Sequence, residues 1–110
     1  MRMAEIKIQN TTAGWLTQDE NGYHFAYDVE YLKSGQPEAV SLTLPIQKTP
    51  FTNNVLFPFF DGLIPEGWLL DIVEKNWKLN PRDRMGLLLA CCKDCIGAVS
   101  VHPLNAEDNS

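Results

Sequence analysis

No Gly-x-Ser-x-Gly elbow, His-Glu-x-x-His pair or Gly-rich loop ending in Lys-Ser/Thr occurs in the 110 residues. The sequence motifs of an α/β-hydrolase nucleophile, a zinc protease and a phosphate-cradling loop are therefore all missing. Histidine is scarce: His24 and His102 are the two. Neither is paired in sequence with a nucleophile, so both read as surface or hydrogen-bonded side chains rather than bases. Long apolar runs are missing too. None approaches the ~18 residues of a membrane span, and the opening MRMAEIKIQN has no apolar signal core. The expectation is a cytoplasmic protein without membrane contact. Basic clusters are also absent. Nine Lys and Arg are scattered among fourteen Asp and Glu, giving a formal charge of -5. Phosphate backbones repel such a chain, which argues against direct binding of nucleic acid.

Cysteine is limited to Cys91, Cys92 and Cys95, an odd number that does not suit a disulfide framework. Cys92 and Cys95 form a Cys-x-x-Cys, but a zinc site needs further ligands, and only His24 and His102 could add imidazole. A redox pair would normally sit at a helix N-terminus, which lowers the thiol pKa, whereas this one follows an apolar helix. The three thiols read as reduced packing residues, with no metal and no cofactor implied. A metal or thiol-redox module is the alternative from another functional class.

What is present is enough for one domain with its own core, 45% hydrophobic and 21% charged. The first half reads as strands. Ile6 and Ile8 alternate with Lys7 and Gln9, and Gly14-Trp15-Leu16 opens a second run. Asp19-Glu20-Asn21-Gly22 is a hairpin turn, with Asn-Gly expected at the central positions. Tyr23, Phe25 and Tyr27 share one strand face, His24 and Ala26 the other. After a loop at Lys33 to Pro37, Val40 to Leu44 has the alternation of a strand that Pro45 ends or holds at an edge. Residues 49–57 read as an irregular connection.

The second half reads as two helices and a last strand. The first helix starts near Pro65, with Glu66 beside its positive end and a stripe of Leu69, Ile72, Val73 and Trp77. The second starts at Asn80-Pro81, with Asp83 close behind. Met85, Leu88, Leu89 and Cys92 line one face, and Leu87, Ala90 and Cys91 extend the apolar surface nearly all round. Ile96 to Val101 is the last strand. The expected fold is α+β: a small antiparallel sheet or partial barrel with two helices packed on it. Residues 1–104 form the domain, and 105–110 form a polar, frayed tail that reads as the end of a complete chain.

Trp68 is a large aromatic on the rim of the first helical stripe, beside Ile72 and Lys75. One reading makes it a core or half-buried Trp, like Trp15 and Trp77. The other makes it an aromatic anchor in an interface, with Glu66 and Asp71 adding charge. Glu66, Asp71 and Asp94 otherwise read as solvated or capping carboxylates.

Taken in order, several segments resemble the N-terminal subdomain of the HipA-type Ser/Thr kinase toxins. Gly14-Trp15-Leu16 resembles an early V-G-x-L position, with Ala13 in place of Val, and Phe25-Ala26-Tyr27 resembles an F-x-Y strand. Leu42-Thr43-Leu44-Pro45 resembles L-S-x-S-L-P. Phe60, Leu63, Ile64, Pro65, Glu66 and Gly67 match an F-x-x-L-L-P-E-G helix start, and Leu87-Leu88 an L-L pair. Asp94 to Val99 matches D-C-x-G-A-V. After P-E-G such kinases often carry Arg, where this chain has Trp68. The kinase parts themselves are missing: no Gly-rich phosphate loop, no H-R-D-like and no D-F-G-like segment occurs.

The resemblance extends to three-component HipB–HipS–HipT systems, in which a separate small protein supplies this subdomain. It implies a non-enzymatic antitoxin that binds and inhibits a HipT-type Ser/Thr kinase, with a HipB-like DNA-binding protein as a further partner. The expected partner-binding residues are Trp68, a large aromatic on the rim of a helix start where the related kinases often carry Arg, with Glu66 and Asp71 beside it. A non-inhibitory accessory subdomain, or the truncated N-terminal part of a HipA-type kinase, is the alternative.

Overall fold

The computed structural model describes residues 2–64, 82–91 and 98–104, the side chain of Cys91 excepted. Five strands form one open antiparallel sheet: β1 (Arg2–Ile8), β2 (Thr11–Asp19), β3 (Gly22–Tyr27), β4 (Phe51–Asn53) and β5 (Val99–Leu104). Their spatial order is β4-β3-β2-β1-β5, so the last strand returns to lie beside the first. Three helices occur among the described residues: α1 (Val29–Lys33), α2 (Pro58–Asp61) and α3 (Arg84–Cys91).

The first three strands form because apolar residues recur at every second position and the connections are tight. Ile8 pairs with Thr11, leaving Gln9 and Asn10 as a two-residue loop with φ of 50° and 69°. Two positive φ values in succession match the right-handed twist of the strands they join. The second hairpin is displaced by one residue from expectation. Asp19 pairs with Gly22, so Glu20 and Asn21 form the loop, and Gly22 carries the positive φ of 124°.

The register between β1 and β2 shifts after Ile6, which pairs with Gly14 while Lys7 pairs with Thr12. Ala13 is the extra residue of this bulge, and its carbonyl accepts the Asp28 N–H at 2.8 Å. Gly14 lies so close to β3 that an added Cβ would meet the Ala26 carbonyl oxygen at 2.5 Å.

One sheet face carries the core. Ala4, Ile6, Leu16, Phe25 and Val101 are fully buried there, and Phe60, Met85, Leu87 and Leu88 pack in from the helices. Phe25 stands at the centre of the aromatic packing, with ring centroids 4.9 Å from Tyr27 and 5.5 Å from Phe60. Tyr23, Phe25 and Tyr27 share this face as expected, Tyr23 being only partly buried.

Five further expectations need correction. Val40 to Leu44 is not a strand: Ser41 and Leu44 bridge across a tight turn, and Leu42 is 99% exposed. Val40 and Leu44 are buried, so two anchors four residues apart produced the apparent alternation. The connection at 49–57 contains β4, whose Phe51 pairs with Phe25, and α2 follows at once from Pro58. Three residues are too few for periodicity to register, and their strand state depends on the partner β3.

The helix expected from Asn80-Pro81 has its described start at Arg84, because Asp83 is the cap. The Asp83 carboxylate accepts the Gly86 N–H at 3.1 Å. Ala90 is exposed and Leu89 half-buried, so α3 is not apolar-packed all round. The last strand runs from Val99 to Leu104, beyond the expected end at Val101. Pro103 is tolerated within it because β5 is an edge strand. The helix expected from Pro65, the positions Cys92 and Cys95, and the 105–110 tail lie outside the described residues.

Candidate interaction surfaces

Trp68, Glu66 and Asp71, the residues singled out for partner binding, also lie outside the described residues. What the structure describes is the ground on either side of them. Before them, α2 ends at Asp61 and the chain continues through buried Ile64; after them, Asp83 caps α3. The two flanks are tied together by Arg84, whose Nε donates to the Asp61 carboxylate at 2.6 Å.

A hollow of about 430 Å³ opens beside this pair, lined by Val55, Leu56, Pro58, Asp61 and Arg84. Val55 is 64% exposed at its edge. Most of the lining is apolar, and its one carboxylate and one guanidinium are already satisfied by each other.

A second ion pair fixes α3 to the sheet. The Arg2 guanidinium donates to both Asp83 oxygens at 2.9 and 2.7 Å, and its Nε donates to Gln18 Oε1 at 2.7 Å. Gln18 Nε2 in turn donates to the Tyr23 hydroxyl at 3.1 Å. The hydrogen bond from Arg2 holds the Asp83 carboxyl below its ordinary range, against a smaller opposing effect of burial. Burial pushes the Tyr23 phenol up, opposed by the Arg2 charge. This cluster joins β1, β2, β3 and α3, and every polar group in it has a partner.

The two histidines have simple roles. His24, on the sheet face away from the core, bonds Asp19 at 3.0 Å and Thr52 at 3.2 Å. The Asp19 carboxyl is held low chiefly by that His24 hydrogen bond. His102 bonds the Ser100 hydroxyl at 2.8 Å. Each ring thus bonds a hydroxyl, His24 also a carboxylate, and all of these partners lie on strands of the sheet. Among the described residues no group of three His, Cys, Asp or Glu side chains could hold a metal ion, and no helix is long and apolar enough to cross a membrane.

A second hollow, of about 390 Å³, lies against α1 and is lined by Tyr27, Val29, Leu32, Lys33 and Lys48. Sequence reasoning missed α1: it assigned only the loop at Lys33 to Pro37, whose first residue ends the helix. The available signal was Asp28: its carboxylate accepts the Tyr31 N–H at 3.1 Å, a capping bond from the residue before the helix.

The chain's relatives complete the description. The family model of the HipA N-terminal domain matches residues 4–102. The chain belongs to the HipA N-terminal domain family. A solved N-terminal domain of HipA toxin superposes with a TM-score of 0.77 at 27% identity, covering 97% of this chain and 96% of that one. An uncharacterized protein of Haemophilus influenzae is 33% identical over 101 residues, 92% of each chain. Two longer proteins of Sinorhizobium fredii, named as candidate kinases Y4dM and Y4mE, are 29% and 28% identical. This chain spans only 27% and 26% of their lengths. The matched family is the HipA N-terminal domain, not a kinase catalytic domain.

Proposed function

We propose that this chain is a HipS-type antitoxin, a non-enzymatic binding protein that inhibits a HipT-type Ser/Thr kinase. The observation that carries the reading is one of proportion. The domain accounts for about a quarter of two kinase-named relatives but for 92% of the Haemophilus influenzae protein, so the same unit occurs both attached and at small-protein length. A domain that is covalently attached in one setting has a surface suited to the rest of that protein in the other. The absence of every phosphate-handling motif from the 110 residues supports a binding role over a catalytic one.

In this reading Trp68 is the anchor that enters the kinase, and Glu66 and Asp71 meet basic groups near its nucleotide site. The tie between Asp61 and Arg84 supports this assignment, because it fixes both flanks of the segment carrying these residues. A HipB-like DNA-binding protein completes a ternary complex, and the chain itself makes no direct contact with nucleic acid. The kinase-named relatives favour one other reading, in which the chain is an accessory N-terminal part of a HipA-type kinase without inhibitory action.

Co-expression with a HipT-type kinase separates the two. An antitoxin copurifies with the kinase and restores growth, whereas an accessory domain copurifies without protecting. Trp68→Ala, checked for folding by thermal melting, should weaken the complex by about 2 kcal/mol or more, roughly thirtyfold in affinity. A variant that melts like the parent and protects cells fully places inhibition elsewhere; one that does not fold returns Trp68 to the core.

A further inference from the structure

We propose that the hollow beside α1 docks an acidic, apolar segment of a protein partner. Its bulky side chain would sit between Tyr27, Val29 and Leu32, and its carboxylates would face Lys33 and Lys48. This second contact surface is independent of the antitoxin reading, since it rests on none of Trp68, Glu66 and Asp71.

The floor is apolar. Tyr27 is 5% exposed, and its hydroxyl is already occupied by the Leu44 carbonyl and the Val40 N–H, so it offers the hollow only ring carbon. Val29, at the first position of α1, is 61% exposed and adds apolar surface at the side of the hollow. The volume of about 390 Å³ holds one large side chain with its neighbouring backbone.

The rim is cationic on a chain whose formal charge is -5. Arg2 and Arg84 are each held by an aspartate, but Lys33 and Lys48 are exposed and form no ion pair among the described residues. Asp28, the carboxylate that begins α1, is engaged by Trp15 Nε1 at 3.3 Å and by the Tyr31 N–H. Glu30, one turn before Lys33, forms no ion pair with it. Two uncommitted ammonium groups from separate segments thus flank one apolar floor.

Charge complementarity selects an acidic occupant. A peptide suits the site better than a small molecule, because among the described residues no buried polar side chain converges on the floor to orient one.

The test pans a random dodecapeptide library against the immobilised full chain, with the K33E/K48E double variant as soluble competitor. Enriched peptides should combine Phe, Leu or Trp with two or more Asp or Glu. As synthetic peptides they should bind the parent at least about tenfold more tightly than either K33E/K48E or V29D, and weaken as salt rises. Both variants alter exposed side chains and should melt like the parent. Failure to enrich any peptide, enrichment of basic or uncharged ones, or equal binding to K33E/K48E would overturn the proposal. Preference for a small anionic competitor, such as an aliphatic carboxylate, over every peptide would replace the partner segment with a small ligand.

Discussion

At the scale of single residues, two tyrosines stand in for secondary structure. The chain between Ser34 and Thr49 has no strand or helix, yet Val40 and Leu44 are core residues. Tyr27 satisfies their backbone by donating to the Leu44 carbonyl and accepting the Val40 N–H at 3.0 Å. Tyr31 does the same for Glu38, donating to its carbonyl and accepting its N–H, both at 2.7 Å. Tyr27→Phe keeps the ring but strands two backbone groups, an expected loss of ~1–3 kcal/mol in urea unfolding. If the midpoint is unchanged, water replaces the hydroxyl. Gly14→Ala introduces a methyl group against the Ala26 carbonyl and the Phe25 ring, and should cost ~1–3 kcal/mol through displaced backbone. A melting temperature equal to that of the parent would refute that close approach.

At the scale of elements, similar apolar residues have opposite weights. Leu44→Ala should cost ~2–5 kcal/mol because Leu44 is 3% exposed, whereas Leu42→Ala should fall within ~0.5 kcal/mol because Leu42 is 99% exposed. The pair distinguishes the observed turn from the expected strand, in which both residues would share a face. Chemical denaturation of the two variants gives the answer; equal costs would contradict the turn. The same lesson applies to β4 and α2. They are short elements whose state is set by Phe51 pairing with Phe25, and by Phe60 packing against the same ring.

At the scale of the whole molecule, Arg2 and Asp83 connect the first strand to α3. The folded Asp83 carboxyl titrates below its ordinary value, so the pair's stabilising effect is complete above the usual carboxylate range and disappears as pH falls through the depressed value. The window lies below about pH 4. Because both side chains are 38% exposed, solvent screening keeps the pair's effect below ~1 kcal/mol. Asp83→Asn should retain most of the cap, lower stability slightly at neutral pH and flatten the acid limb of a pH–stability curve. Asp83→Ala should cost a further ~1 kcal/mol at every pH by removing the cap. An acid limb unchanged in the Asn variant would place the pH dependence on other carboxylates.

Sequence alone determined the first three strands, the hairpin between the second and third, the shared face of Tyr23, Phe25 and Tyr27, and membership in the HipA N-terminal family. These rest on local alternation, hairpin turns and motifs carried in order along the chain, which require no distant contact. Tertiary structure decided the rest. β5 lies beside β1, Ala13 bulges so that Asp28 can bond to its carbonyl, and Val40 to Leu44 folds as a turn because the Tyr27 hydroxyl from β3 satisfies it. The lysine rim of the α1 hollow was likewise illegible, since Lys33 and Lys48 are ordinary surface residues until packing places them beside one apolar floor. In each case the deciding partner is remote in sequence, so periodicity could not reveal it.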